Sequence, residues 1–116
     1  MALFTDRVTA GIENALDAVT LRQQVTANNI ANMNTPGFKA SRVEFEANLS
    51  KAMSAGDPSR AHSSVTLADT PENPDGNTVN MADEQAILVK SGLQFDALVA
   101  ALNYKFNTLR TAIQGR

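Results

Sequence analysis

The clearest pattern in the sequence is a seven-residue repeat of apolar side chains in its last third. Two series, offset by four positions, follow this repeat: Met81, Leu88, Phe95, Leu102 and Leu109, and then Gln85, Gly92, Val99, Phe106 and Ile113. Together they occupy the a and d positions of consecutive heptads, a pattern typical of a coiled-coil seam. Asn80 is suited to cap the start of the helix, with Asp83 and Glu84 in its positive first turn. The pattern therefore predicts a helix over residues 81–113, roughly 50 Å long at 1.5 Å per residue.

A second amphipathic pattern lies near the start of the chain. Apolar or small residues follow each other mostly in steps of three and four, at Val8, Ile12, Ala15, Leu16, Val19, Thr26, Ile30 and Met33. This spacing predicts one helix over residues 5–33, capped by Thr5 or Asp6. We expect the two long helices to pack along a helix seam that holds the chain together. That predicted helix seam comprises Val8, Ile12, Val19, Thr26, Met81, Leu88, Phe95, Val99, Leu102, Phe106, Leu109 and Ile113.

The first helix ends in an asparagine-rich stretch, ANNIANMNTPGFKA, at residues 27–40. Thr35 precedes a proline, which disfavours the helical conformation, and Pro36-Gly37 suits a type II turn. Helix termination accounts for Asn34, but not for Asn28 and Asn29, which lie more than a turn earlier and are poor helix formers. Because amide side chains both donate and accept hydrogen bonds, they can bridge to a neighbour and fix its register. We therefore predict a turn and a contact with other subunits formed by Asn28, Asn29, Ile30, Asn32, Asn34, Thr35, Pro36, Gly37 and Phe38.

The middle of the chain carries weaker signals. Phe45, Leu49 and Met53 are four residues apart and predict a short helix over residues 41–53. Residues 54–80 hold three of the four prolines, and Val65-Thr66-Leu67 has the composition of a strand without an evident partner. So long an irregular stretch is either flexible or ordered by something outside the chain.

These patterns define the predicted fold class. We expect one all-α domain over residues 1–116, in which the long terminal helices form an antiparallel, coiled-coil-like pair. Its predicted parts are a helix at 5–33, a turn and short helix at 34–53, an irregular excursion at 54–80 and a helix at 81–113.

Composition narrows the possible functions. Ten Lys and Arg against twelve Asp and Glu give a net charge of −2, without the basic surface that nucleic acids require. There is no cysteine, and His62 is the only histidine, so neither a thiolate metal site nor a rigid catalytic triad is expected. We predict no enzymatic activity, no cofactor and no small-molecule substrate. We also expect no cleaved signal peptide and no direct membrane insertion, because no stretch approaches the ~20 apolar residues that span a bilayer.

The apolar surface of the last helix extends beyond its seam. Ile87, Leu93, Leu98 and Ala101 lie at other heptad positions. Because a two-helix pair covers only one stripe of each helix, a wide apolar face indicates further neighbours. We therefore predict assembly into a larger helical bundle.

Two segments of the sequence carry a family resemblance. NNIANMNTPGF, residues 28–38, resembles the N-terminal signature of the bacterial flagellar axial proteins, which are the rod, hook and hook-associated subunits. DGNTVNM, residues 75–81, leads into a terminal helix that ends LNYKFNTLRTAI at residues 102–113, and both are similar to a proximal rod protein. The length of 116 residues leaves no room for the large β domains of hook and distal rod proteins.

The resemblance implies a structural role and a set of partners. Proteins of this family are exported without signal cleavage through the flagellar type III apparatus and assemble helically into the periplasmic rod, which transmits motor torque. The implied partners are the protein itself, other flagellar rod proteins, the export gate and the adaptor at the rod base. Two alternatives stay open on the sequence: a sister proximal rod subunit, and a cytosolic helical adaptor or export chaperone.

Overall fold

Two long helices dominate the computed structural model, which describes residues 6–115. In chain order the elements are α1 (Arg7–Ala31), β1 (Ser41–Glu44), α2 (Glu46–Ser54), a single 3₁₀ turn (Pro58–Arg60), β2 (Ser64–Leu67) and α3 (Met81–Gln114). The described chain measures 64 × 27 × 16 Å along its principal axes. The protein is therefore elongated, and it is mostly helical, as predicted.

α1 and α3 lie side by side and antiparallel. Near one end Asn29 Nδ2 is 3.2 Å from Glu84 Oε2, and near the other Lys105 Nζ is 2.5 Å from Asp6 Oδ2. Small residues on α1, including Ala15 and Ala18, are buried and allow the helices to approach closely. The predicted packing of the terminal helices is confirmed.

The ends of α1 follow from local capping chemistry. Asp6 precedes the helix in an extended conformation, and its Oδ1 accepts from the Thr9 backbone N–H at 2.7 Å. At the other end Asn32 is the C-cap, and three residues later Thr35 and Pro36 lead into the turn. Asp6 is thus the observed N-cap, whereas Thr5, the other predicted candidate, lies outside the described residues.

The predicted helix over residues 41–53 is wrong in its first part. Residues 41–44 form β1, which pairs antiparallel with β2 so that Ser41 faces Leu67 and Glu44 faces Ser64. Phe45 then changes direction with φ −139° and is almost fully buried, and α2 begins only at the next residue. The strand Val65-Thr66-Leu67 therefore has a partner, and the all-α prediction holds only in the coarser sense of a mostly helical chain.

The small hydrophobic core lies where α2 and the 3₁₀ turn contact the helix pair. Its buried members are Ala15, Ala18, Phe45, Ala52 and Ala61, with Leu49 and Leu98 packed against them. Phe45 is the single large residue of this set that is buried, so it fills the space between slender helices. The first part of the predicted excursion is thus attached to α1 by apolar contacts.

A close approach at Gly11 also holds the 3₁₀ turn against α1. A Cβ atom at Gly11 would lie 3.0 Å from Pro58 Cβ and 3.4 Å from its carbonyl oxygen. Three residues along α1, Asn14 Nδ2 donates to the carbonyl oxygens of Ser59 at 2.8 Å and Ala61 at 3.1 Å. The absence of a side chain at Gly11 lets the turn come close enough for these bonds.

We expect Gly11→Ala to destabilise the chain relative to the matched variant Gly92→Ala. Both changes raise helix propensity, by about 1 kcal/mol. Gly92 has nothing within 4 Å of its added Cβ, so that variant should gain stability, whereas Gly11→Ala must displace Pro58. The free energy of unfolding, measured by urea denaturation, should be at least about 1 kcal/mol lower for Gly11→Ala than for Gly92→Ala. Equal stabilisation by both variants would show that the turn does not need the close approach.

Candidate functional site

A buried polar cluster joins the end of α1 to β1 and to the start of α3. Asn29 Nδ2 donates to the Ser41 carbonyl at 2.9 Å and to Glu84 Oε2 at 3.2 Å, and Asn29 Oδ1 accepts from the Ser41 N–H at 3.1 Å. The other carboxylate oxygen of Glu84 accepts from Arg42 Nη1 at 2.7 Å. Asn29 and Glu84 are fully buried, while a fifth of the Arg42 side chain stays exposed. The cluster fixes the register of three elements at once.

Asn77 makes a second connection, between the loop before α3 and the end of α1. Its Nδ2 donates to the carbonyl oxygens of Asn32 at 2.9 Å and Thr35 at 2.8 Å, and its Oδ1 accepts from the Val79 N–H at 2.7 Å. The Asn77 side chain is fully buried. One amide thus donates to two carbonyls, one at the C-cap of α1 and one in the turn that follows, and attaches the loop before α3 to both.

The turn after α1 fits the same loop through backbone contacts. The Phe38 N–H donates to the Thr35 carbonyl at 3.2 Å and Gly37 has φ +74°, as the predicted type II turn requires. Gly37 N–H donates to the Asp75 carbonyl at 2.9 Å, and the Thr78 N–H donates to the Phe38 carbonyl at 3.0 Å. Residues 28–38 and 75–81, the two segments that carry the family resemblance, are therefore in contact with one another.

The nine residues predicted for the turn and subunit contact fall into two groups. Only Asn29 is buried, and its bonds lie within the chain, so its assignment to a subunit contact is corrected to an internal one. Asn32 Nδ2 donates to the Asn28 carbonyl at 2.8 Å, which caps α1. The other residues are exposed or half-buried: Asn28, Ile30, Asn34, Thr35, Pro36, Gly37 and Phe38.

The helix seam coincides only in part with the contact between α1 and α3. Val19 and Thr26 are buried, and a second group is half-buried: Ile12, Met81, Val99, Leu102 and Leu109. The remaining residues are exposed to 36–68% of their surface: Val8, Leu88, Phe95, Phe106 and Ile113. On α3 the residues turned toward the rest of the chain also include six outside the predicted seam: Glu84, Ile87, Ser91, Gln94, Leu98 and Lys105.

The orientation of α3 about its own axis explains why part of the predicted seam is exposed. At 100° per residue, the a and d series of α3 lies roughly 80° around the helix from the stripe that contains Glu84 and Ser91. The buried Glu84 cluster holds α3 in this orientation. An exposed stripe, defined as Leu88, Phe95, Phe106 and Ile113, therefore runs along α3, and Val89, Leu93 and Tyr104 are exposed on a different face of the same helix. Large exposed apolar surfaces are typical of sites that contact other proteins or a membrane.

α3 is also long and apolar enough, by length and composition, to cross a membrane, contrary to the prediction that no stretch would be. Its most apolar 18-residue window has a mean hydropathy of 1.2, and only 6% of that window is buried within the chain. A helix that packs against other proteins along its whole length has the same composition. The length and composition of α3 therefore do not distinguish a membrane-spanning helix from one that packs against other proteins.

An ion pair fixes the N-terminal end of α1 against α3. The hydrogen bond from Lys105, together with that from the Thr9 backbone, lowers the pKa of Asp6 from 3.8 to about 2. Because the folded-state pKa is the lower one, the contribution of this group is present above pH 3.8 and is lost as the pH falls to about 2.

We therefore expect the stability of the native chain to exceed that of Asp6→Asn at pH 5, and the difference to shrink as the pH falls to 2. Asn retains capping ability but has no charge for Lys105, so the variant isolates the ion pair. Urea midpoints measured at pH 5, 4, 3 and 2 check this expectation. A difference that stays constant across this range would assign the stabilisation to capping alone.

The described residues hold no arrangement of catalytic groups around the histidine. His62 is exposed, and its Nδ1 is 3.4 Å from the Arg60 carbonyl. Within residues 6–115 no group of three His, Cys, Asp or Glu side chains is placed to hold a metal ion. The prominent feature of the described surface is a set of exposed apolar side chains on α3.

Sequence comparison gives the family. The model of the family described as "Flagella basal body rod protein" matches residues 13–39, which end in the asparagine-rich turn. The flagellar basal body rod protein FlgB of Bacillus subtilis is 33% identical, with 99% of this chain and 98% of that protein aligned. FlgB proteins of Aeromonas hydrophila and Escherichia coli are 29% and 28% identical over 99% and 88% of this chain, and 98% and 89% of those proteins.

The fold, the exposed apolar stripe and these relatives define a structural protein of the bacterial flagellar basal body rod, not an enzyme. Within that class the chain belongs to the FlgB family of proximal rod proteins. Family membership implies assembly with other rod components.

Three residues of the site have roles that the sequence analysis does not predict. Glu84 is predicted only as a favourable charge in the first turn of α3, Asn77 only as part of a motif, and Arg42 not at all. Asn77 had a signal, since it lies between a Gly76 turn and the Asn80 cap, where a buried amide can satisfy nearby backbone groups. Glu84 and Arg42 had none, because their pairing spans 42 residues.

Proposed function

We propose that this rod subunit polymerises through its terminal helices and that the exposed stripe of α3 is the surface that neighbouring subunits cover. The observation that carries the proposal is the orientation of α3, which leaves Phe106 45% and Ile113 68% exposed. Burial of such side chains stabilises an assembly by about 25 cal/mol per Å² of apolar surface. Contacts along a helix of 34 residues would transmit torque between subunits without a flexible joint.

The proposal also includes the location of the protein, its export and its partners. Similarity to the flagellar rod family supports a periplasmic rod location, export without a cleaved signal peptide, and contacts with the export gate and the adaptor at the rod base. It also favours protein neighbours over direct membrane insertion for α3. The exposed part of the asparagine-rich turn, Asn28 and Asn34 to Gly37, provides a polar surface for one of these contacts.

Recovery of basal bodies tests the proposal. We expect the native chain to co-purify with detergent-extracted basal bodies, and a double variant Phe106→Asp, Ile113→Asp to be lost from them by more than tenfold. Both residues are exposed, so circular dichroism of the isolated variant should retain the native helical signal. Asn103→Asp and Asn107→Asp, exposed polar positions on the same helix, form the matched control and should assemble.

The outcomes separate the alternatives. Assembly of the Asp double variant at the native level would remove the exposed stripe from the subunit contact. Purely cytosolic recovery of the native chain, with a helical client attached, would support the adaptor or chaperone alternative. Partition into membrane vesicles without basal bodies would instead assign α3 to lipid.

A further inference from the structure

An apolar groove lies where the first residues of α1 contact the last third of α3. It has a volume of about 470 Å³ and is lined on α1 by Val8 and Ile12 and on α3 by Ala101, Tyr104 and Leu109. Val8 is exposed to 56% and Tyr104 to 75% of its surface, so the described residues leave the groove open to solvent. Because Tyr104 lies on a different face of α3 from the exposed stripe, the groove is a second apolar surface of the chain.

The polar groups at the edge of the groove are bonded within the chain. Lys105 Nζ is 2.5 Å from Asp6 Oδ2, and the Thr108 hydroxyl donates to the Tyr104 carbonyl at 2.9 Å. An occupant therefore does not have to supply hydrogen bonds that these groups lack. The remaining lining is aliphatic and aromatic, so the groove favours apolar side chains over polar ones.

The chain itself supplies an apolar segment at the end of this groove. Asp6, the first described residue, is one of the lining residues, so residues 1–5 are attached directly beside it. Three of those five residues, Met1, Leu3 and Phe4, have large apolar side chains. Asp6 has an extended rather than a helical backbone, with ψ 161°, so α1 begins after it and the chain bends there.

The reach of this segment matches the length of the groove. An extended chain advances by at most ~3.6 Å per residue, so Phe4 lies within about 7 Å of Asp6 and Leu3 within about 11 Å. Along α1, Ile12 is about 9 Å from Asp6 at 1.5 Å per residue. Both apolar side chains can therefore reach the part of the groove that α1 and α3 line together.

We propose that residues 1–5 fold back over this groove and that the side chains of Leu3 and Phe4 fill it. Removal of apolar surface from water on both sides of the contact drives the docking. The segment then joins the start of α1 to the last third of α3, beside the ion pair of Asp6 and Lys105. The exposed stripe lies on another face and stays available to neighbouring subunits, so this inference concerns the isolated chain and does not depend on the proposed assembly.

Tyr104 is a fluorescent probe inside the groove, because the chain has one tyrosine and no tryptophan. Acrylamide quenches its fluorescence in the isolated chain only where the quencher reaches the ring. Side chains in contact leave no space for acrylamide, so the double variant Leu3→Ser, Phe4→Ser should have a quenching constant at least about twofold above the native value. Ala2→Ser, in the same segment but without loss of a large apolar side chain, is the matched control and should leave the constant unchanged.

A contact measurement on the native chain makes the test independent of the variants. We expect nuclear Overhauser effects between the ring protons of Phe4 and either the ring protons of Tyr104 or the methyl protons of Val8. Circular dichroism should show the native helical signal in the double variant, since neither substituted residue lies in α1 or α3. If that signal is lost, the Overhauser effects alone decide between a filled and an open groove.

Two results overturn the inference. One is a quenching constant that Leu3→Ser, Phe4→Ser leaves at its native value while the helical signal is retained. The other is a protection of Tyr104 that disappears when the native chain is diluted, which would assign the groove to a second copy of this chain. Both measurements use the isolated chain, so their failure is distinguishable from a failure of the proposed assembly, which the recovery of basal bodies tests.

Discussion

Asn29→Ala is expected to lower the free energy of unfolding by about 3 kcal/mol. The substitution removes hydrogen bonds to the carbonyl and the N–H of Ser41 and to the carboxylate of Glu84. These bonds are made by a fully buried amide, from which water is largely excluded, so their loss is not compensated by solvent. Because native domains are stable by only 5–15 kcal/mol, the loss is a large fraction of the total.

The adjacent residue supplies the matched control. Asn28 has the same side chain on the same turn of α1 but is exposed, and its Oδ1 is 3.4 Å from Asn32 Nδ2. Asn28→Ala should therefore change the stability by no more than about 0.5 kcal/mol, since the gain in helix propensity offsets a weak contact. Urea denaturation followed by circular dichroism measures both. Equal effects at the two positions would contradict an internal role for Asn29.

Asn77→Ala is expected to have the second large effect, also about 3 kcal/mol. It removes two bonds to the carbonyls of Asn32 and Thr35 and one from the Val79 N–H. The loop before α3 would lose its attachment to the turn after α1. Hydrogen exchange should then show faster exchange at Gly37 and Thr78, whose amides donate across this contact, than in the centre of α3.

Asn73→Ala is the control for this second prediction. Asn73 lies in the same loop and is exposed, and its only side-chain bond among the described residues is a long one, 3.5 Å to the Val79 carbonyl. We expect Asn73→Ala to lower the free energy of unfolding by less than about 1 kcal/mol and to leave hydrogen exchange at the Gly37 amide unchanged. If Asn77→Ala unfolds the chain completely, Asn77→Asp, which keeps the acceptor and loses the donors, isolates the contribution of the two carbonyl bonds.

The two predictions together give a physical reason for the family-like segments. Asn29 and Asn77 lie in residues 28–38 and 75–81, and each bonds backbone groups of another segment: Ser41 at the start of β1 for Asn29, and Asn32 and Thr35 for Asn77. These segments connect the C-terminal end of α1 to β1 and to the N-terminal end of α3 within one chain. Their exposed members, among them Asn28, Asn34 and Pro36, are the ones available to other subunits in the proposed assembly.

The strand pair illustrates a limit of periodicity. β1 and β2 each have four residues and their register pairs Val43 with Val65. Strands this short carry no strong alternation, and the partners are separated by α2 and the 3₁₀ turn. Phe45 and Leu49 follow a helical spacing directly after β1, so the local pattern favours one longer helix. Only the pairing of residues 41–44 with β2 distinguishes a strand followed by a short helix from one longer helix.

The sequence by itself determined the features that depend on neighbouring residues. The long helices follow from apolar spacing, the start of α1 from the Asp6 cap, and the turn at residues 35–38 from Thr-Pro-Gly. These depend on backbone preferences and local hydrogen bonds, which the residue types fix within a few positions. The need for partners also follows from the sequence, because the apolar surface of residues 81–113 exceeds what one helix contact can bury.

Only the tertiary structure decided which face of α3 turns inward. The heptad stripe is the most apolar face, yet Glu84 and Ser91 are the buried residues. A buried carboxylate needs partners, and Asn29 and Arg42 supply them from positions 55 and 42 residues away. That long-range pairing rotates the helix and leaves its apolar stripe on the surface, where neighbouring subunits of the proposed rod assembly would cover it.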